Sequence, residues 1–181
     1  MKFVETNLPR VVVIEPEIFV DARGFFFEAY HKRKFAEHGI ALDFVQDNHS
    51  GSVRGTIRGL HLQRSRPQAK LVRVLRGRIF DVVVDVTRAS PSFGRWISLE
   101  LSAENHRMCF IPGGYAHGFC VLSNYAEVEY KSSDFYDPSD ELTIAWNDPS
   151  LSINWPVAEP VLSPKDLRAR KLSELLELLP Q

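Results

Sequence analysis

The sequence predicts a mainly β protein, folded as an antiparallel double-sheet jelly roll. Short strand-like runs follow one another through most of the 181 residues, and glycine, proline, serine and asparagine separate them, which is the pattern of an antiparallel sandwich or barrel. Helical periodicity is confined to two segments. A hydrophobic content of 44% suffices for one substantial core, and no linker, repeat or low-complexity stretch divides the chain, so we expect one domain over residues 1–181.

The strands are predicted from apolar runs bounded by turn residues. These runs are VVVIEP, GFFFEAY, FVQDNHS, TIRGLHLQ, KLVRVLRG, RIFDVVVDV, RWISLELS, RMCFIPGG, HGFCVLS and AEVEYKSS. An Arg-Gly-Arg break separates the fifth run from the sixth, so we expect a hairpin in which Gly77 supplies the turn. The narrow interior of such a jelly roll holds one small ligand. An exposed sheet edge invites pairing with a second copy, which predicts a homodimer.

The helical pattern occurs in two places. HKRKFAEHGI predicts a short helix in the N-terminal half that ends at Gly39, and SPKDLRARKLSELLELLP predicts a longer C-terminal helix that begins at Ser163 and Pro164 and ends near Pro180. We expect the C-terminal helix to dock on the barrel through an apolar face formed by Leu172, Leu175, Leu176 and Leu179.

The bulk composition excludes several classes of protein. With 22 basic and 23 acidic side chains the net charge is −1, which provides no global field for nucleic acid or an anionic membrane. Cys109 and Cys120 lie in apolar runs and have neither CxxC nor zinc-site spacing, so we expect reduced, buried thiols. The amino terminus has no signal-peptide pattern and no run approaches the length of a membrane span. These features predict a cytoplasmic protein.

The segment IRGLHLQ places a histidine among leucines. In a strand, His61 shares a face with Gly59 and Gln63, while Leu60 and Leu62 point to the other face. A neutral imidazole, whose ordinary pKa is about 6.5, can accept a proton near neutral pH. On its own, the position favours a structural histidine over a base.

Two further polar side chains are predicted to point inward. Tyr130 alternates in phase with Val128, so its hydroxyl either finds a partner at the edge of the core or donates a proton to a carbanion. Lys70 alternates in phase with Val72 and Val74 and either reaches the rim or places a cation inside the barrel. The position of Tyr130 by itself favours a core residue, whereas the position of Lys70 does not decide between its two interpretations.

Other candidates also have structural explanations. PGGYAHGF places His117 after a tight turn. The histidine is either a structural residue at the rim or an imidazole that faces a ligand at the barrel mouth. Asp166 forms an S-x-x-D capping box with Ser163, which by itself favours a role at a helix N-terminus. A polar set that can satisfy turns or bind a sugar and its phosphates consists of Arg23, Glu28, Gln46, Asp47 and Asn48.

Taken together, the motifs resemble one family, the dTDP-4-dehydrorhamnose 3,5-epimerases, a metal-free branch of the cupin-type jelly rolls. The motifs, in the order of the family, are DARGFFFE, FVQDNHS, IRGLHLQ, KLVRVLRGRIFDVVVD, IPGGYAHGF, EVEYKSSDFYDPSDE, IAWNDP and SPKD. The resemblance extends over nearly the whole chain. It implies a cupin-type double-stranded β-helix and an isomerase that needs no cofactor.

The resemblance also implies a role for each matching position. His61 would be the general base, Asp166 its partner, Tyr130 the acid on the opposite side, and Lys70 the cation that stabilises an enolate. The substrate would be a dTDP-4-keto-6-deoxyhexose. Residues implied to contact it are Arg23, Phe26, Glu28, Gln46, Asp47, Asn48, Arg58, Gln63, His117, Tyr136, Glu141 and Lys165. Strict alternation sends Arg58 to the face opposite His61, so its role requires a bend at Gly59 or contact with a neighbouring subunit.

A metal site is not expected, although metal-binding cupins share the predicted architecture. Their first motif brings two histidines as HxH with a glutamate soon after, whereas this chain has HLQ followed by RSRPQAK. Glutamine is a poor substitute for imidazole with a transition metal, and the following residues supply cations instead of a carboxylate.

The implied reaction converts dTDP-4-dehydro-6-deoxy-D-glucose to dTDP-4-dehydro-L-rhamnose by exchange of protons at C3 and C5, which a 4-keto group acidifies. Two departures from the family pattern leave inversion at one carbon open: a shorter, arginine-rich loop RSRPQA, and Leu142 and Thr143 where the family often has glycine. A sugar-nucleotide-binding cupin without catalysis and a metal-dependent oxygenase remain the alternatives from other classes.

Overall fold

The structure is a computed structural model that describes residues 1–181, and its strands, numbered in chain order, form two main antiparallel sheets. The six-stranded sheet has the order β1 (Lys2–Glu5), β2 (Val12–Glu15), β10 (Met108–Ile111), β7 (Lys70–Arg76), β12 (Tyr125–Ser132) and β5 (Gln46–Val53). The five-stranded sheet has the order β13 (Glu141–Thr143), β6 (Ile57–Gln63), β11 (Tyr115–Val121), β8 (Arg78–Asp85) and β9 (Trp96–Ser102). A separate hairpin pairs β3 (Ile18–Asp21) with β4 (Gly24–Phe27). The predicted mainly β jelly roll is confirmed.

Apolar side chains of both main sheets meet in the barrel interior. Val72 and Val74 of β7 and Val128 of β12 pack in one cluster with Ile79 and Val83 of β8. The alternation of these strands therefore directs one face of each sheet inward. The same alternation directs polar residues of β5, β6, β7, β11 and β12 into the remaining space at one end of the barrel.

Each main sheet is covered on its outer face by a different part of the chain. Helix α1 (Lys32–Glu37) places Phe35, which is fully buried, against Ile14 and Phe110 of the six-stranded sheet. The C-terminal segment covers the five-stranded sheet, where its leucines join Leu60 and Leu62. The leucines of the IRGLHLQ segment thus lie in an outer core, so the opposite face of β6 is free to carry polar residues into the barrel.

The predicted hairpin at Gly77 is wrong, because β7 and β8 belong to different sheets. At Gly77 the chain turns a corner between the sheets with a φ of +73°, and a Cβ there would lie 2.2 Å from the carbonyl oxygen of Tyr125. The glycine is required by this close approach and by the positive φ. A turn between two apolar runs does not reveal which sheet each run joins.

The prediction of a single C-terminal helix is also wrong. The prediction of α1 and of its end at Gly39, which has a φ of +82°, is confirmed. The tail forms α2 (Pro164–Leu167), α3 (Leu172–Leu175) and a 3₁₀ turn at Leu176–Leu178. Between α2 and α3, Arg170 pairs with Ile144 in a parallel bridge, and the Asp148 carboxylate accepts a 2.6 Å hydrogen bond from the Leu172 N–H. These tertiary bonds replace helical ones. Leu176, predicted on the docking face, is 39% exposed.

The helices are all short. None of them is long and apolar enough to cross a membrane.

Candidate active site

A cavity of about 350 Å³ opens between the two main sheets at one end of the barrel. The six-stranded sheet contributes Asn48, Ser50, Lys70 and Tyr130, and the five-stranded sheet contributes Arg58, His61, His117, Phe119 and Glu141. Tyr136 and Lys165 approach from the segments that follow β12 and open α2. The imidazole of His61 and the phenol of Tyr130 therefore line one shared space from opposing sheets.

His61 forms a short contact with a buried carboxylate. Its Nε2 lies 2.6 Å from Oδ1 of Asp166, and the other carboxylate oxygen accepts a 2.8 Å hydrogen bond from the Ser163 hydroxyl. Burial opposes ionisation of Asp166, but the hydrogen bonds from His61 and Ser163 and the charge of Lys165 hold the pKa of this carboxyl below its usual value. An ionised Asp166 fixes the proton of the neutral ring on Nε2, so Nδ1 keeps its lone pair for use as a base.

Both interpretations of Asp166 hold at once. Its backbone N–H donates to the Ser163 hydroxyl at 3.1 Å, which caps α2, while its side chain reaches His61. The Ser163 cap therefore positions the short helix that carries the carboxylate to the imidazole.

Tyr130 and Lys70 lie on neighbouring strands of the six-stranded sheet. Tyr130 is opposite Val72, and the Lys70 ammonium lies 5.9 Å from the centre of the Tyr130 ring. Burial and the nearby negative charge of Glu141 raise the pKa of Tyr130, so the phenol is protonated and can donate. Burial lowers the pKa of Lys70 to about 8, although Glu141 and Asp81 oppose that shift. The inward interpretation of Lys70 is the one observed.

His117 pairs with an acidic residue that sequence reasoning missed. Its Nε2 lies 2.7 Å from Oδ1 of Asp81, a fully buried carboxylate on β8 whose Oδ2 has no hydrogen-bond partner. Asp81 alternates with Ile79 and Val83, which point inward. An acid in phase with inward apolar residues was a signal for this residue, because a buried carboxylate requires a partner.

Glu141 connects several of the predicted residues. Its Oε2 accepts hydrogen bonds from the Tyr136 hydroxyl at 3.0 Å and from the Lys165 ammonium at 2.7 Å. Its Oε1 lies 4.0 Å from Nδ1 of His61. Burial and the hydrogen bond to Glu141 raise the pKa of Tyr136 to about 12. His61 therefore has a carboxylate beside each ring nitrogen.

Arg58 reaches the same cavity as His61 because β6 is irregular. His61 is opposite His117, yet Arg58 is opposite Phe119, so the register against β11 shifts between these pairs. The irregularity falls at Gly59, which has a φ of +126° and is followed by a cis peptide bond. The bend expected at Gly59 is confirmed.

Three amide side chains support the site. The Gln46 side chain donates to Oδ1 of Asn48 at 2.9 Å and accepts from the Tyr136 backbone N–H at 2.9 Å. Gln63 exchanges two hydrogen bonds with the backbone of Asp137. Gln46 and Gln63 therefore hold the segment that carries Tyr136, and Gln63 acts beside the cavity instead of on its main wall.

The structure separates four of the predicted contact residues from the cavity of their own chain. Arg23 and Phe26 lie on the β3–β4 hairpin, with 90% of the Arg23 side chain and 70% of Phe26 exposed. Glu28 pairs with Lys34, and Asp47 lies on the face of β5 opposite Asn48, where it binds Lys131. A single chain therefore does not explain substrate contacts by Arg23, Phe26, Glu28 or Asp47.

No group of three or more His, Cys, Asp or Glu side chains has the arrangement of a metal site. Of the three imidazoles that line the cavity, His61 and His117 are each bonded to a different carboxylate, and His49 lies 3.3 Å from Glu127. What the arrangement supports is proton transfer: a base, an acid on the opposing sheet and a cation beside that acid.

Comparisons with known proteins identify the family. The model of the family described as dTDP-4-dehydrorhamnose 3,5-epimerase matches residues 5–174. The dTDP-4-dehydrorhamnose 3,5-epimerase of Pseudomonas aeruginosa is 51% identical over 176 residues, which cover 96% of this chain and 97% of the relative. The dTDP-4-dehydrorhamnose 3-epimerase of Streptomyces niveus is 44% identical over 163 residues, which cover 89% of this chain and 79% of the relative.

A solved structure extends the similarity to the whole fold. The dTDP-6-deoxy-D-glucose-3,5-epimerase of Legionella pneumophila, in complex with dTDP-4-keto-L-rhamnose, matches with a TM-score of 0.96 and 47% identity, covering 99% of this chain and 97% of that chain. The sequence match and this structural match include every strand that lines the cavity. The chain therefore belongs to the dTDP-4-dehydrorhamnose 3,5-epimerase family.

Proposed function

We propose that this isomerase converts dTDP-4-dehydro-6-deoxy-D-glucose to dTDP-4-dehydro-L-rhamnose, a step toward dTDP-L-rhamnose, by inverting C3 and C5. The observation that carries the proposal is the position of His61 and Tyr130 on opposing sheets of one cavity, with Lys70 beside Tyr130. Inversion requires removal of a proton from one side of the sugar ring and delivery from the other, and this arrangement supplies both groups.

Each inversion is a pair of proton transfers through an enolate. Nδ1 of His61 takes the proton from the carbon next to the keto group, and the bonding electrons move to the keto oxygen. The Lys70 ammonium stabilises that oxygen, an effect typically worth about 3 to 4 kcal/mol for one preorganised donor. Tyr130 then donates its proton to the opposite side of the carbon. The scheme needs neither a redox cofactor nor a metal.

The remaining polar residues are suited to the nucleotide diphosphate. Arg58, His117 and Lys165 place positive or hydrogen-bonding groups around the cavity, as a pyrophosphate requires. Asn48 supplies an amide on the opposing sheet. We assign substrate contacts to these four residues and to Tyr136.

We propose that the functional unit is a homodimer. Phe19, Val20, Phe25 and Phe26 of the β3–β4 hairpin are each more than half exposed, an apolar surface that is unusual for a monomer. A second copy that received this hairpin would bring Arg23, Phe26 and Glu28 to a cavity from which they are separated in one chain. Strand β5 is also an uncovered edge of its sheet.

Solvent deuterium incorporation tests the reaction. In D₂O, we expect the product to carry deuterium at both C3 and C5, detected by NMR, because each inverted carbon receives its proton from an exchangeable phenol. An absence of label with binding retained would refute the enzyme and leave a binding protein. Activity that is lost with a chelator and requires a stoichiometric metal would instead support the oxygenase alternative.

Inversion at C3 alone is the second candidate, because the Streptomyces niveus relative is named a 3-epimerase. Label at a single carbon would establish that candidate. The shorter RSRPQA loop is relevant here, since its backbone at Ser65 and Arg66 donates to the Asp140 carboxylate and so fixes the segment between Tyr136 and Glu141.

We also propose that the protein acts in the cytoplasm. Cys109 and Cys120 are both buried and unpaired, and burial raises the pKa of each thiol. Unreactive reduced thiols are typical of a reducing compartment.

A further inference from the structure

Inverting two carbons in one binding event creates a proton imbalance that the enzyme must correct. After the first inversion His61 holds the proton that it removed, and Tyr130 has become a phenolate. The second inversion needs a neutral His61 and a protonated Tyr130 again. One proton must therefore move from the first residue to the second while the substrate fills the cavity between them.

We propose that Glu141 and Tyr136 form the path by which this proton returns, an inference that rests on the proposed function. Oε1 of Glu141 lies 4.0 Å from Nδ1 of His61, and Oε2 accepts the Tyr136 hydroxyl at 3.0 Å. Tyr136 and Tyr130 line one narrow pocket with His61 and Glu141. This pocket has a volume of about 60 Å³, which leaves room for a bridging water.

The other carboxylate beside His61 leads away from Tyr130. The Asp166 oxygen that does not contact His61 accepts a hydrogen bond from Ser163 at the start of α2. Asp166 also does not line the cavity. Glu141 is only slightly exposed, with 10% of its side chain accessible, so a bound sugar would restrict its exchange with solvent. Of the two carboxylates, Glu141 alone leads toward the acid.

The proton transfers balance. The Nδ1–H bond of protonated His61 breaks as an O–H bond forms on Glu141, after the two side chains close their gap. Tyr136 gives its hydroxyl proton to the Tyr130 phenolate, directly or through a water, and the Glu141 carboxyl group then reprotonates Tyr136. The net result moves one proton from an imidazolium to a phenolate, a favourable direction because the ordinary pKa values are about 6.5 and 10.

The partition between one and two inversions, measured as the ratio of singly to doubly labelled sugar, tests the path. Purified enzyme would be mixed with one equivalent of dTDP-4-dehydro-6-deoxy-D-glucose in D₂O and quenched at increasing times, and label at C3 and C5 would be counted by NMR and mass spectrometry. For Glu141→Gln we expect the second label to slow at least tenfold more than the first, so that a singly labelled sugar accumulates. Tyr136→Phe breaks the next link and is expected to give the same partition.

A matched control and a rescue separate a proton path from a structural role. Glu129→Gln removes a carboxylate that pairs with Arg73 outside the cavity, and we expect its partition to match the wild type. Added formate should restore the second label in Glu141→Ala by replacing the missing carboxylate. Equal slowing of both labels, or an unchanged partition, in Glu141→Gln and Tyr136→Phe would overturn the inference.

The wild-type result distinguishes the two proposals. Label at only one carbon would overturn the proton path, since nothing then needs to be reset during one binding event, but it would still support epimerisation. No label at all would refute the proposed function itself.

Discussion

At the scale of single residues, the site depends on charges held in a partly closed cavity. Lys70 is the clearest case, because burial lowers its pKa to about 8. The ammonium form is needed to stabilise an enolate, and it is lost as the pH rises through this value. The charge that assists the reaction therefore also costs stability.

We expect kcat/KM to decline on an alkaline limb with a midpoint near pH 8 as Lys70 loses its proton. In Lys70→Arg the guanidinium stays charged at every accessible pH, so the remaining activity should lack this limb. A pH–rate profile of both proteins from pH 6 to 10 measures the effect. An identical limb in both proteins would assign it to another group.

The same residue predicts a change in stability. The folded-state pKa of Lys70 lies below its ordinary value, so the folded chain disfavours the ammonium, and the full cost is present below pH 8. Lys70→Met should therefore raise the free energy of unfolding at pH 7 by roughly 3 kcal/mol. This gain should shrink as the pH rises from 8 toward 10.5, and urea denaturation of both proteins at several pH values checks the sign. A gain that grows with pH would contradict it.

Sequence patterns identified individual residues well where a strand's alternation could be read. His61, Lys70 and Tyr130 were predicted to point inward, and all three line the cavity. Asp81 was missed, although its phase matched that of Ile79 and Val83, because an apolar run does not show which distant side chain pairs with an acid. The resemblance, not spacing, linked Asp166 to His61, since the two are 105 positions apart.

At the scale of elements, β6 shows how a local irregularity builds the site. Regular alternation would send Arg58 and His61 to opposite faces, and the register shift at Gly59 brings both to the cavity. A Cβ on Gly59 would lie 2.5 Å from the Gly118 Cα of the neighbouring strand. The element is therefore specified by two glycines that pack backbone against backbone.

We expect Gly59→Ala to lower the free energy of unfolding by roughly 2 kcal/mol or more, because the added methyl group meets backbone and φ is +126°. Gly94→Ala is the matched control. Its φ is +74° but no atom lies within 4 Å of the added Cβ, so only the conformational cost of about 1 kcal/mol should appear. Thermal or urea denaturation measures both, and equal losses would show that the close approach is unimportant.

Elements were predictable in type but less so in their connections. Strands β2 and β4 to β12 and helix α1 follow from apolar periodicity and turn residues, which are local properties, whereas β1, β3 and β13 were not predicted. The Gly77 corner was read as a hairpin because strand pairing depends on distant partners, and the C-terminal helix was read as continuous because the bridge from Arg170 to Ile144 leaves no local signal.

At the scale of the whole molecule, the jelly roll divides its interior between packing and chemistry. The apolar cluster that contains Val72 and Val83 fills one part of the interior, and the cavity occupies another. The exposed β3–β4 hairpin lies outside this arrangement, and no pattern in one chain could reveal whether Arg23 serves its own cavity or that of a second copy.

Complementation tests the dimer. His61→Asn lacks the base and Arg23→Ala lacks the hairpin cation, so each protein alone should be nearly inactive. In a mixed dimer, made by coexpression with two different tags, one cavity would combine the intact base of one chain with the intact hairpin of the other. We expect partial recovery of activity and twice the monomer mass by light scattering. A monomer, or a mixed dimer without recovery, would contradict the proposal.

The central claim is that His61 and Tyr130 act on the sugar from opposite sides, and hydrogen exchange in separate variants tests it most directly. In D₂O, Tyr130→Phe keeps the base, so we expect it to exchange the hydrogens next to the keto group without inverting the carbon, since deuterium returns from the same side. His61→Asn should exchange neither hydrogen. Exchange that persists in His61→Asn, or inversion that persists in Tyr130→Phe, would contradict the account.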